Sequence, residues 1–325
     1  MQEQQNKGVL FINNHAFTSL RSADYSTYYA LAELVDNSIQ ADAKNIHIVG
    51  IQHKIGETNR RNLKEVIVFD DGKGMNKTLA EMCLQLGGGD KYDANAANKN
   101  LGKYGIGLTQ GSMSQTPRVD VYTWENRENI YYNYLDFEEL ARSDDPYLPA
   151  VRDINDHPKN IEAILDTVKS KTDIDINIKP ESGTIIHWKN CDRLDHKTYR
   201  TFFDKIEYFI GRVYRYYINN DDICISVSGL DKKQNGYTII QGQHHDSILP
   251  NDPMFLIKNS IVGRIDKRFK GKATNEEWAV VPDIEVEYKN KNGEIINKKY
   301  DVEIKFSHTK EGFRDELTHG NKTTP

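Results

Sequence analysis

The sequence predicts an α/β fold in two domains, and three observations lead there. A helical apolar pattern from Tyr28 to Ala41 runs into the strand-like alternation of Asn45 to Ile51. A second apolar run, Glu65 to Phe69, ends on the acidic, glycine-flanked turn Asp70-Asp-Gly-Lys-Gly-Met75. Near residue 193 the texture changes to a long aromatic-rich helix and a late hairpin. At 325 residues the chain can bury a separate core in each domain.

Taken in order, Val9 to Ile12 is a short apolar patch suited to an N-terminal strand or arm, and Tyr28 to Ala41 is the first helix, with Ala30, Leu31, Leu34, Val35 and Ile39 on its buried arc. After the two strands, Lys77 to Leu86 reads as a short helix carrying Leu79, Met82, Leu84 and Leu86. Residues 87–100 contain three consecutive glycines and almost no large apolar side chain, so packing cannot hold them and they read as a mobile loop. Gly102 to Met113 enters another helix. Arg118 to Trp124 and Asn129 to Leu135 alternate as a hairpin, residues 138–180 read as an insertion with an amphipathic stretch at Ile161 to Val168, and Gly183 to Trp188 is a further strand. Beyond residue 193, Tyr199 to Ile218 reads as one long helix, Asp222 to Gly229 as a strand, and Ile284 to Phe306 as a hairpin around Lys291-Asn-Gly293. Arg314 to Pro325 carries no core pattern, and the chain is expected to be part of a longer protein.

The formal net charge of −5 gives no global attraction to nucleic acid or to an anionic membrane, so any such contact must be local. Three widely separated cysteines, Cys83, Cys191 and Cys224, suit a reducing compartment without disulfides. The first residues lack the apolar centre of a signal peptide and no stretch reaches membrane-span length, so a soluble cytoplasmic protein with no membrane contact is expected.

The chemistry concentrates in the first domain. Glu33 and Asn37 are four residues apart and share a helix face, a carboxylate and a neutral oxygen ligand at the edge of a core. No Gly-Lys pair is followed by Ser or Thr: Gly72-Lys73 precedes Gly74, Gly102-Lys103 precedes Tyr104, and Gly271-Lys272 precedes Ala273. That excludes a Walker-type phosphate loop. What remains is an ordered set: Glu-x-x-x-Asn on a helix, Asp-x-Gly-x-Gly after a strand, a glycine-rich loop ending Gly102-Lys-Tyr-Gly-Ile-Gly107, and Gly183-Thr184 on a later strand. Each part alone is common, since Asp-Gly is a favoured turn pair and a helix face is usually solvated. Their order and contexts make the combination specific.

This set resembles the Bergerat motifs of the GHKL ATPases: the gyrase B, ninety-kilodalton heat-shock chaperone, histidine kinase and MutL group. Gly111-Ser-Met113 after the last glycines and a strand ending in Trp188 resemble its microrchidia-like branch. The resemblance covers about residues 28–190 and implies a mixed sheet with a helical layer for residues 1–192, with a lid over about 84–107 and the insertion over about 138–180. For residues 193–325 it implies a transducer-like, ribosomal S5-like α+β domain. It further implies ATP and Mg2+ as ligands, with Glu33 as the base that activates the attacking water and Asn37 as the magnesium ligand. Asp70 would read the adenine amine, Gly72, Gly74 and Met75 would approach the base, and Thr184 would complete the contacts around it. Gly102, Lys103, Tyr104, Gly105, Ile106 and Gly107 would form the phosphate cradle. Lys310, preferred over Lys305 and Arg314, would sense the γ-phosphate. Gln40 departs from the family pattern, which commonly has an acidic residue there.

In the relatives, ATP binding accompanies lid closure and dimerisation of the N-terminal domains, and turnover is expected to be slow. Three roles compete: an ATP-gated clamp on DNA, with chromatin-like or bacterial defence roles; a protein-remodelling chaperone; and a nucleotide-binding module without significant turnover. Residues 258–272 hold six basic residues and one acid around Phe269, a candidate DNA contact that favours the first. Glu33 argues against the third.

Overall fold

The computed structural model describes residues 21–22, 25–86, 107–142, 148–243, 245–254, 256–257, 259–261, 274–290 and 293–309. The chain divides into two units, Met1–Ile210 with Asn220–Ile248, and Gly211–Asn219 with Leu249–Pro325.

The first unit is built on a mixed sheet. Its strands are β1 (Asn45–Lys54), β2 (Arg61–Asp70), β3 (Arg118–Trp124), β4 (Ile130–Asp136), β5 (Arg152–Ile154), β6 (Gly183–Lys189), β7 (Cys224–Lys233), β8 (Gly236–Ile239) and the short β9 (Asp246–Ser247), in the order β5-β4-β3-β6-β2-β1-β7-β8 with β9 beside β7. Every described pairing is antiparallel except β1 with β7, which run parallel from Asn45↔Cys224 to Gln52↔Asp231. That parallel ladder carries β7 into the first unit although it lies beyond residue 193, where the sequence reading placed the second domain. The central strands β2 and β6 are buried on both faces and read as nearly continuous apolar runs.

Side chains alternate across the sheet, so each strand serves two layers. On one face lie α1 (Thr27–Gln40), α3 (Gly107–Gln115) and α6 (Tyr199–Val213). There α1 buries Ala30, Leu31, Leu34, Val35 and Ser38, and Gly111 of α3 faces Ala30 of α1. Trp188 Nε1 donates to Ser112 Oγ at 2.8 Å, tying β6 to α3 through a fully buried indole. On the opposite face, α5 (Lys159–Lys171) seals a core of Val49, Ile51, Ile67, Phe69, Trp124 and Ile185. Its Ile161, Ile164, Leu165 and Val168 are at most 2% exposed, each contributing about 1.5–3 kcal/mol by burial. Within the stretch read as an insertion, α5 is therefore a structural part of the core. Two short helices, α2 (Lys77–Met82, capped by Asn76) and α4 (Phe137–Arg142), complete the unit.

The long helix expected from Tyr199 to Ile218 is two: α6 stops at Val213, and the short α7 (Arg215–Asn219) follows. In the second unit, β10 (Thr274–Lys289) and β11 (Ile295–Thr309) pair as the expected hairpin, with Gly293 at φ +82 in the turn. Beyond this hairpin the described residues do not specify a transducer-like domain. Val9 to Ile12, residues 87–106 of the lid, most of the basic run 258–272 and Lys310 lie outside the described residues.

Candidate functional site

The first helix starts and ends on contacts made by distant residues. Ser26 makes no side-chain cap; the Thr27 amide donates instead to Asp195 Oδ2 at 2.7 Å, while the Asp195 amide donates to Thr27 Oγ1 at 2.9 Å. A carboxylate at this end suits the exposed amides and the helix dipole. At the other end the Lys73 amide donates to the Ala41 carbonyl at 2.8 Å, docking the acidic turn onto the helix C-terminus.

The two aspartates of that turn have different work. Asp71 is a bracket: its Oδ1 accepts the amides of Lys44 and Asn45, both at 2.8 Å, and its Oδ2 accepts Asn45 Nδ2 at 2.7 Å. Asp70, 5% exposed, closes β2 and points toward α1. Its Oδ1 accepts the Gly72 amide at 2.9 Å, and its Oδ2 lies 2.9 Å from Ser38 Oγ. Burial pushes the Asp70 carboxyl up to about 6, against the opposing pull of the Gly72 amide and the Ser38 hydroxyl.

Around Asp70 the predicted glycines earn their place by close approach. A Cβ on Gly72 would meet the Ala41 carbonyl oxygen at 2.8 Å; Gly74 sits at φ +67 with the Trp124 carbonyl oxygen 1.9 Å from where its Cβ would be. Met75 and Thr184 join the same network through Thr123: the Met75 amide donates to Thr123 Oγ1 at 2.9 Å, and Thr123 Oγ1 lies 3.1 Å from Thr184 Oγ1. Thr184 pairs with Asp70 across β2 and β6, and with Thr123 across β3 and β6. Asp70, Gly72, Gly74, Met75 and Thr184 thus gather at one end of the sheet.

Glu33 and Asn37 are both half-buried on α1, and Ser38 links that helix to Asp70. Five residues of helix separate Glu33 from Ser38, about 7.5 Å along the axis. Glu33 Oε1 accepts the Tyr25 hydroxyl at 2.9 Å; its Oε2 stands 2.1 Å from where a Cβ on Gly107 would be. Burial and that hydrogen bond together push the Tyr25 phenol up to about 12. Gly107 opens α3, so the final glycine of the Gly-x-x-Gly-x-Gly run lies against the carboxylate of α1. The Asn37 carboxamide makes no side-chain hydrogen bond among the described residues, which leaves its oxygen free to take a ligand and fits a cation held with phosphate oxygens and water. Gln40 has a buried Nε2 without a partner among the described residues. Gly102, Lys103, Tyr104, Gly105 and Ile106 lie outside the described residues.

Ser38, Thr123 and Tyr25 were not singled out from the sequence. Ser38 carried a signal, a polar residue on the buried arc of an amphipathic helix; Thr123 and Tyr25 carried none that local pattern exposes. No helix of the described residues is long and apolar enough to cross a membrane.

Residues 25–169, which hold every candidate above except Thr184 and Lys310, match the family of histidine kinase-, DNA gyrase B- and HSP90-like ATPases. No curated protein matches the chain. Among solved structures, the crystal structure of the N-terminal domain of a DNA repair protein is similar at 17% identity and a TM-score of 0.47, over 92% of this chain and 73% of that one.

Proposed function

We propose that this chain binds ATP at the end of the sheet marked by Asp70 and hydrolyses it slowly with magnesium. The observation that carries the reading is the coupling of two carboxyl groups, those of Glu33 and Asp70, through one helix: Glu33 lies five residues before Ser38 on α1, Asn37 lies next to Ser38, and Ser38 contacts the buried Asp70. Asp70 accepts the exocyclic amine of adenine, Gly72 and Gly74 let the base approach the backbone, and Met75 packs on its face, with Thr184 completing the polar contacts. Glu33 orients and deprotonates the attacking water, because phosphoryl transfer asks the protein for positioning and charge more than for covalent chemistry. Asn37 supplies an oxygen to magnesium, whose charge offsets that of the phosphates. Gly102, Lys103, Tyr104, Gly105, Ile106 and Gly107 hold the phosphates, and Lys310 senses the γ-phosphate.

Calorimetric ATP binding and steady-state hydrolysis test this directly. Glu33→Gln should bind ATP with wild-type affinity and lose turnover about 100-fold or more; Asp70→Asn should lose binding. Full turnover in Glu33→Gln would remove Glu33 as the base.

The favoured role is an ATP-gated clamp on DNA, with lid closure over residues 84–107 and N-terminal dimerisation in the ATP state, a homodimer. The basic run 258–272 supports a DNA client over a protein client. Duplex DNA should then stimulate turnover in a salt-sensitive way, and a non-hydrolysable ATP analogue should double the mass in solution. Stimulation by unfolded protein and not by DNA would favour the chaperone role instead.

A further inference from the structure

Glu33 is held by a residue outside the motifs. We propose that Tyr25 is a positioning residue for Glu33, fixing the carboxylate so that Oε2 faces the start of α3; this rests on Glu33 being the base. The Tyr25 hydroxyl donates to Oε1 at 2.9 Å, and Oε2 is the oxygen that lies against Gly107. A half-buried glutamate on a helix otherwise samples several rotamers, and only some of them aim an oxygen at one point. With Oε1 engaged by a phenol, Oε2 is the oxygen left to take a proton.

The backbone that carries the phenol is itself held. The Tyr25 carbonyl oxygen accepts Gln115 Nε2 at 2.7 Å, and Gln115 Oε1 accepts Thr27 Oγ1 at 2.7 Å. Gln115 is fully buried, and Thr27 is bracketed by Asp195 as described above. These contacts form a closed ring. Glu33 touches Gly107 at the first residue of α3; Gln115, the last residue of α3, holds Tyr25; Tyr25 holds Glu33. Both ends of the helix that follows the glycine-rich run therefore bear on one carboxylate. Tyr25 precedes α1 and reaches back along it to Glu33, so no helical spacing marks the pair.

The test is Tyr25→Phe in the whole chain, which keeps the ring and removes only the donor. Turnover should fall about tenfold while KM and the dissociation constant for ATP stay within about twofold and the thermal midpoint is unchanged. Tyr25→Phe added to Glu33→Gln should leave the residual turnover where Glu33→Gln alone puts it, because no base remains to be aimed. Wild-type turnover in Tyr25→Phe overturns the proposal. So does a parallel loss of ATP affinity or thermal stability, which would assign Tyr25 to packing, and so does a further fall in the double variant. Undiminished turnover in Glu33→Gln is a separate result that defeats the assignment of the base itself.

Discussion

Ser38 Oγ lies 2.9 Å from Asp70 Oδ2 and 3.1 Å from the Leu34 carbonyl oxygen, yet a hydroxyl has one proton to donate. Shared between the two acceptors, the Ser38 proton gives the Asp70 carboxylate only part of a hydrogen bond. Burial therefore outweighs the Gly72 amide and the Ser38 hydroxyl, and the Asp70 carboxyl is pushed up to about 6.

That value sets a sign. Because the folded value lies above the ordinary 3.8, the folded state holds this proton more tightly than the unfolded chain does. The associated stability is present in full below about pH 4 and is lost as pH rises through 6, reaching about 2–3 kcal/mol by pH 8. Asp70→Asn removes the buried charge and can still meet both the Gly72 amide and Ser38. Without nucleotide it should melt above the wild type at pH 8 and beside it at about pH 3.5, while ATP no longer binds. A variant that melts lower than wild type at pH 8 would show that the ionised carboxylate is the stable form.

Gly74 and Gly56 separate two costs of positive φ. Gly56, at φ +52, has nothing within 4 Å of a Cβ, whereas at Gly74 the Cβ would enter the Trp124 carbonyl. Gly56→Ala should cost only the left-handed backbone, about 1 kcal/mol. Gly74→Ala should cost that plus a displacement of β3, about 3 kcal/mol or more. Urea denaturation of both variants checks the ratio, and equal costs would mean that the turn slides freely over β3.

The helix carrying Glu33, the strand ending on Asp70 and the β3–β4 hairpin were legible because each is a local period closed by a turn. The place of β7 was not, since a parallel partner joined after 170 residues leaves no mark on either strand. The same holds for the stretch around α5: proline-rich, acidic flanks suggested an insertion, but the decisive fact is that Ile161, Ile164, Leu165 and Val168 meet the sheet's second face. At the site, spacing revealed the candidates that share one element. Thr123 and Tyr25 make their contacts across the chain, and only register and folding-back bring them to Met75 and Glu33.

Glu65 is a buried carboxylate that no local pattern revealed. It receives His53 Nε2 at 2.6 Å, His187 Nε2 at 2.7 Å and Lys232 Nζ at 3.0 Å, and these partners hold its carboxyl well below the usual range even though burial acts the other way. A depressed value means stability that is present above pH 4.5 and lost as pH falls below it. Glu65→Gln should destabilise the fold by about 3 kcal/mol at pH 7 and flatten the acid side of a stability-against-pH curve. Guanidinium melts from pH 3 to 7 test both statements; an unchanged acid limb would assign the acid sensitivity to other groups.

Gly107 offers a way to move Glu33 without touching it. A Cβ there would stand 2.1 Å from Oε2 and 3.0 Å from the carboxyl carbon, but both belong to the end of a flexible side chain that can swing aside. Alanine is also the better helix former, so Gly107→Ala should change stability by less than about 1 kcal/mol. Its backbone amide is unaltered, so ATP should still bind. The carboxylate, however, must leave its place and with it the Tyr25 hydroxyl, and turnover should fall at least about tenfold. Binding, turnover and denaturation measured on this one variant separate the three effects. If turnover stays at the wild-type level, the orientation of Glu33 against α3 is not the one used in hydrolysis, because a displaced base would then be working as well as the one seen here.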